Sequence, residues 1–341
     1  MTKKDENKLF SRSQIFFYAF AVLLTILAIY YFADLKRSLK LFQKVNVYWL
    51  AAAIAGQAFT YMAGALVYYD LLRMFKVKPV PTLWKVVQAN IVVLLFNQTV
   101  PSAQVSGNTF FLNFLSKRDV SLSHSLSVIF LDLITYYLSM EVVIIASIVF
   151  CFTLSLSPVF LLPLGIGILV FALFGTSVML IGSKKALNRV YKKVTSVKFI
   201  KKLIDKYTDS LADKNALQNM RNPASLIAEH KITISRTVIY QVLLFLADTF
   251  TIVALYYGLG IEISFLYVLV GLMATKVISI LPISPGALIV YESSMTFFFV
   301  HLGVPLASAV IVTLLYRTLS FWLPMPVGFF IYKRLQGKQG R

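Results

Sequence analysis

From Val45 to Tyr69 the chain runs for 25 residues without a charged side chain, and from Val86 to Ser116 for 31. A helix needs about 20 apolar residues to cross a bilayer. Further apolar stretches cover Ser13 to Ala33, parts of 121–152 and 158–181, Thr237 to Tyr257, Ser264 to Leu281 and Pro305 to Tyr332. Of the 341 residues, 58% are hydrophobic and only 14% charged, and the mean hydropathy is +0.77. A soluble chain of this length needs far more polar surface. The expected fold is therefore all-α: a polytopic integral membrane protein of about eight transmembrane helices.

Two of the apolar stretches are interrupted. Leu281-Pro-Ile-Ser-Pro-Gly-Ala-Leu-Ile-Val-Tyr-Glu292 carries two prolines, a glycine and an acid. Pro282 and Pro285 lack backbone donors and Gly286 admits positive φ, so a continuous helix is not expected. Broken backbone at membrane depth survives only where protein or a watery cavity covers it. The helix is expected to restart with Glu292 on it. The other interruption, Asn97-Gln-Thr-Val-Pro-Ser-Ala-Gln-Val-Ser-Gly107, lies between basic flanks at Lys85 and at Lys117-Arg118. A segment that leaves a basic loop, breaks and returns to one reads as re-entrant.

The two interruptions echo each other at an offset of 184 residues: Pro101 with Pro285, Asn108 with Glu292, Val120 with Val304. Paired interrupted segments in two halves point to a central transport site. The crossing count stays open. Counting 264–281 as a crossing and both breaks as re-entrant puts the termini on opposite sides. Letting the second break pass right through gives eight crossings and both ends inside, in keeping with Lys333 and Arg334.

The formal charge is +19, from 33 Lys and Arg against 14 acids. Basic residues sit between spans, as the positive-inside rule requires, and would also attract anionic lipid headgroups. That placement excludes a nucleic-acid surface. One membrane domain is expected over 1–341: helices at 13–182, a cytoplasmic loop at 183–236, and helices at 237–334. The loop holds thirteen Lys or Arg and four acids. Val190, Val194, Val197, Ile200, Ile204, Tyr207 and Leu211 recur there at helical spacing, giving an amphipathic helix that lies on lipid or packs on its neighbours.

Cys151 is the single cysteine, which leaves no internal disulfide or thiolate cluster. His124, His230 and His301 lack metal-ligand spacing, and no phosphate-binding glycine loop is present. No cofactor and no metal site is expected. In the spans, Asp132 and Glu141 point to opposite helix faces. Asp248 lies midway along its span, as a proton or ion group or a hydrogen-bonded structural acid. Lys276 lies near a helix end and is expected to snorkel. Glu292 either contacts a cationic headgroup or proton, or pairs with Arg317 or Lys276. Arg317 either binds lipid phosphate or neutralises Asp132, Asp248 or Glu292.

Pro285-Gly286-Ala287-Leu288-Ile289-Val290-Tyr291-Glu292 resembles the P-G-G-x-G-x-x-E signature of the lysylphosphatidylglycerol synthase transmembrane, flippase-like family. Ala287 replaces the second glycine and Val290 lies near the third. Leu314-Leu-Tyr-Arg317-Thr-Leu-Ser-Phe-Trp-Leu-Pro324 is similar to that family's closing L-x-Y-R-x-x-x-F-W-x-P span. Pro101-Ser-Ala-Gln-Val-Ser-Gly107-Asn108 is similar to its P-x-G-x-G-G-E element, with Ala103 for a glycine and Asn108 for the acid. The resemblance implies a multi-pass protein of the inner (cytoplasmic) membrane that moves aminoacylated phosphatidylglycerol or another lipid-linked headgroup between leaflets. It carries Pro285, Gly286, Glu292 and Arg317 over directly, and Pro101 and Gly107 with less support. Asp248 and Asn108 join them as candidates for the translocation path. Implied partners are an anionic phospholipid, a separately encoded lipid-modifying transferase and a second copy of the chain. No soluble aminoacyl-transfer domain is expected after the last span, which counts against the alternative: the membrane part of a phosphatidylglycerol lysyltransferase, or such an enzyme itself.

Overall fold

The computed structural model describes residues 45–75, 80–99, 105–181, 223–280 and 287–337. The chain divides between Asn46 and Val47 into two compact units, and all described helices belong to the second. The first apolar run, the amphipathic helix expected at 190–211, and Pro101, Pro285 and Gly286 lie outside the described residues.

Every regular element among the described residues is helical. In chain order they are α1 Val47–Met74, α2 Leu83–Thr99, α3 Val105–Ser116, α4 Leu122–Thr153, α5 Leu161–Ile181, α6 Pro223–Glu229, α7 Lys231–Gly258, α8 Phe265–Ile278, α9 Val290–His301, α10 Leu306–Arg317 and α11 Pro324–Gly337. A π turn, Thr318–Trp322, joins the last two into one membrane-length rod.

These helices repeat. Adding 184 to the bounds of α1 gives those of α7, and adding it to α4 gives Leu306 to Gly337, the α10–α11 rod. α3 shifted in this way falls within one residue of α9. The connections repeat as well. Asp119 and Gly303, equivalent by the same offset, both have positive φ, 58° and 87°. Around them Val120 N–H donates to Leu115 O and Val304 N–H to Phe299 O, again equivalent pairs. The echo first seen in two prolines is thus a duplication of four elements: long helix, short pair, long helix.

The short pairs are hairpins. Asn97 meets Gly107 and Phe96 stacks on Phe110, so α2 and α3 run antiparallel. In the second pair, Gly271 of α8 packs on Phe299 of α9 and on Leu302 just past its end. With 14 and 12 residues, α8 and α9 are about 21 and 18 Å long, too short for the roughly 30 Å hydrocarbon core. Both interrupted segments therefore have the re-entrant form. The stretch at 264–281, counted above as a crossing, contains the first limb of the second hairpin rather than a separate span.

The two halves meet along α1 and α7, which cross antiparallel. Trp49 stacks on Tyr257, Gly56 packs on Thr251, and Gly64 on Leu244. Small residues let the backbones close in, as membrane helices require without a hydrophobic drive between them. A Cβ on Gly56 would stand 2.7 Å from Thr251 Oγ1. Outward faces are apolar instead. On α4, Leu138, Val142, Ile145, Val149 and Phe152 are exposed at alternating spacings of four and three, a stripe suited to lipid and not to water.

The π turn has a local cause. Pro324 supplies no N–H to the carbonyl of Ser320, and its ring crowds that oxygen. Leu323 N–H bonds Thr318 O at 2.8 Å instead, which releases Leu319 O too. Both freed carbonyls are recaptured: Tyr61 OH donates to Leu319 O at 2.6 Å and Gln98 Nε2 to Ser320 O at 3.0 Å. The hairpin tip at Gln98 is thereby tied to the bulge.

Candidate functional site

Four ionisable residues of the second half converge at one depth. At 1.5 Å per residue, Asp248, Lys276, Glu292 and Arg317 each lie about 14–17 Å along their helices from the Gly258, Phe265, His301 and Leu306 ends. Those ends share one face of the fold, because α8–α9 is a hairpin and short turns join α7 to α8 and α9 to α10. The four groups therefore lie near the middle of the bilayer.

They form two ion pairs. Lys276 Nζ lies 2.9 Å from Asp248 Oδ2, and Thr60 Oγ1 of α1 donates to Asp248 Oδ1 at 3.2 Å. Arg317 Nε donates to Glu292 Oε1 at 2.6 Å. The other Glu292 oxygen accepts from Ile289 N–H at 2.6 Å, capping the amide end of α9, where a negative charge also suits the helix dipole. The Arg317 guanidinium lies between the rings of Tyr291 (4.6 Å) and Phe321 (4.3 Å). Lys276 lies 5.5 Å from the ring centre of Phe245. Tyr291 stacks on Tyr316 and stands between the pairs, in the field of Asp248, Lys276 and Arg317. Tyr136 and Tyr316 complete the wall around Asp248.

The cluster is electrically balanced, two acids against two bases, and removing one member strands a buried opposite charge. Gln57 Oε1, Gln98 Oε1 and Ser320 Oγ are buried with no hydrogen-bond partner among the described residues, whereas Tyr291 bonds Tyr316. Buried orphans of this kind are uncommon and ask for water or a ligand.

Of the sequence candidates, Glu292 and Arg317 are brought together, and Asp248 stands beside them through Tyr291. Gly107 and Asn108 belong to the other hairpin. Gly107 N–H donates to Asn97 Oδ1 at 2.9 Å, and a Cβ there would meet Val93 O at 2.6 Å and the Asn97 side chain, so the hairpin closes only on a glycine. Asn108 is half-buried and makes no ion pair or hydrogen bond among the described residues. Asp132 takes Gln241 Nε2 at 3.1 Å, away from Glu141 as the helix geometry requires.

Lys276 does not snorkel. Its helix ends at the hairpin tip, inside the membrane, so proximity to a helix end means depth, and the ammonium turns to Asp248. The interruption just after it was the available signal. Tyr136, Tyr291 and Tyr316 carried no comparable signal among eighteen tyrosines. The positive-φ residues also correct the register of the signature. Ala287 and Ile289, with φ of 53° and 73°, occupy its second and third glycine positions, so the third falls on Ile289 rather than near Val290.

Residues 17–328 match the family described as the lysylphosphatidylglycerol synthase TM region. The chain belongs to that family. A UPF0104 membrane protein of Pyrococcus horikoshii is 26% identical over 313 residues, covering 89% of this chain and 92% of that one. Among the described residues of this lysylphosphatidylglycerol synthase TM-region protein, four helices are long and apolar enough to cross a membrane, and shorter apolar helices accompany them. It is a multi-pass membrane protein.

Proposed function

We propose that this protein carries the polar headgroup of a phospholipid, of the aminoacyl-phosphatidylglycerol kind, between the leaflets of the cytoplasmic membrane. The observation that carries the reading is the pair of re-entrant hairpins converging from opposite faces on a buried, charge-balanced cluster of two ion pairs. Opposite entry follows from the repeat. The ends of the α2–α3 hairpin carry Lys85, Lys117 and Arg118, and the α11 end carries Lys333 and Arg334. Those ends are cytoplasmic under the positive-inside rule. The α8–α9 hairpin then opens to the other side, and both halves have inverted topology, an arrangement recurrent in secondary transporters.

The chemistry fits a headgroup bearing both signs. Phosphate can displace Glu292 from Arg317, whose planar fork matches two phosphate oxygens. An ammonium can replace Lys276 at Asp248. Each exchange keeps the buried charges paired, and the aromatic walls shelter the groups from lipid tails.

The test is reconstitution into liposomes that carry a headgroup-labelled phosphatidylglycerol in both leaflets. Protein should expose the inner-leaflet label to an impermeant quencher. Liposomes in which the label stays protected, with protein that binds no lipid, would sink the reading. Lysyl-lipid made by the purified protein from charged tRNA would assign it a transferase activity instead.

A further inference from the structure

Away from the midplane cluster, a cleft opens at the basic end of the first hairpin, lined by Phe110, Asn113, Phe114, Lys117, Arg118 and Tyr332, with Leu335 at its edge. We infer that this cleft binds the phosphate of an anionic phospholipid from the leaflet that faces the basic end.

Three observations point the same way. Arg118 is half-buried, flat against the Phe114 ring at 3.7 Å, and donates through Nη1 to Phe114 O at 2.6 Å. Among the described residues no carboxylate pairs with it, and the rest of its fork stays available. Burial lowers its pKa from the ordinary guanidinium value, the sign of a cation lacking a compensating anion. Lys117 is exposed beside it, and Lys333 and Arg334 stand on the neighbouring turn of α11. The opposite wall is aromatic, with Tyr332 edge-on to Phe96 at 5.3 Å and to Phe110 at 5.9 Å. A site with cations at the rim and rings and Leu335 toward the lipid suits an anionic head with acyl tails, because tails stay in the bilayer while the phosphate meets Arg118.

The internal repeat supplies a control within the molecule. The positions equivalent to Asn113, Lys117 and Arg118 are Phe297, His301 and Leu302, and those equivalent to Tyr332 and Leu335 are Ile148 and Cys151. The same backbone corner on the other face thus lacks the lysine, the arginine and the amide. The cationic cleft belongs to one side only, and it does not follow from the duplicated fold.

The experiment is native mass spectrometry of the full chain in mild detergent, titrated separately with short-chain phosphatidylglycerol, short-chain phosphatidylcholine and inorganic phosphate. Phosphatidylglycerol should form a one-to-one complex that Lys117→Gln with Arg118→Gln weakens about tenfold or more. Leu335→Trp, which fills the cleft and keeps both cations, should weaken it as well, and Lys85→Gln, an exposed charge on the same face, should not. Equal binding by the Lys117/Arg118 variant and by Leu335→Trp would overturn the site. Inorganic phosphate binding as tightly as the lipid would overturn the lipid assignment, and phosphatidylcholine binding as tightly would overturn the requirement for an anionic head. Since the readout is binding, the site can fail while translocation stands, and the reverse.

Discussion

Glu292 holds Arg317 with one carboxylate oxygen and the Ile289 amide with the other, each at 2.6 Å. One side chain therefore joins three things: the start of α9, the mouth of the second break, and the rod that ends the chain. Both partners are buried, with side chains 8% and 10% exposed. Glu292→Gln keeps a cap acceptor and removes the carboxylate charge that faces Arg317. The expected loss of stability is about 3–5 kcal/mol, the usual range for breaking a buried pair. Glu292→Gln with Arg317→Gln should recover much of the thermal stability in detergent without recovering translocation. A double variant with full transport would remove the pair from the mechanism.

Asp248 and Lys276 allow a parallel test. Lys276→Met strands a buried carboxylate, whereas Asp248→Asn with Lys276→Met leaves a neutral, hydrogen-bondable site beside Thr60. The double variant should be the more stable of the two, measured by thermal unfolding, and both should lose headgroup translocation in liposomes. Equal melting of the single and double variants would show that the pair is not coupled.

Gly107 provides a purely steric prediction. Gly107→Ala presses a methyl against Val93 O and the Asn97 side chain, and overpacking of this kind costs about 1–3 kcal/mol. Gly165→Ala, where nothing lies within 4 Å, should be neutral or slightly stabilising through helix propensity. The two melting temperatures should therefore move apart. A drop at both positions would show a general intolerance to side chains and not a close contact.

Ile289 is a β-branched residue at φ 73°, and it is 44% exposed. Little packing is lost when the side chain is removed, and the backbone strain disappears. Ile289→Gly should stabilise the protein by about 1 kcal/mol. A lower melting temperature than the parent would show that the Ile289 side chain contributes more than its conformation costs.

Apolar run lengths, the two breaks and the echo between them are enough to anticipate a helical membrane protein with a duplicated core. Prolines and glycines mark where helices stop, and the 184-residue offset survives substitution because it depends on spacing. Charge partners were less legible. Glu292 with Arg317 was one of several pairings the residues allowed, since sequence separation does not measure distance between helices. Lys276 misled for a geometric reason: near a hairpin tip, the end of a helix is its deepest point. The bulge at Thr318–Trp322 was implicit in Pro324, but its consequence, two free carbonyls caught by Tyr61 and Gln98, depends on helices more than 200 residues away in sequence.

The duplicated backbone carries an unduplicated set of charges. Asp248, Lys276, Glu292 and Arg317 correspond to Gly64, Val92, Asn108 and Leu133 in the first half. In a molecule whose halves are interchangeable in shape, exchanging their conformations turns an inward-open form into an outward-open one with nearly the same packing. Here the ions do not exchange with the shapes. If the protein translocates a headgroup as proposed, the energy gap between the two forms is governed by how each solvates a single fixed cluster, and a cargo that neutralises or rearranges that cluster moves the balance. Direction would then arise from sequence inequality laid over structural equality.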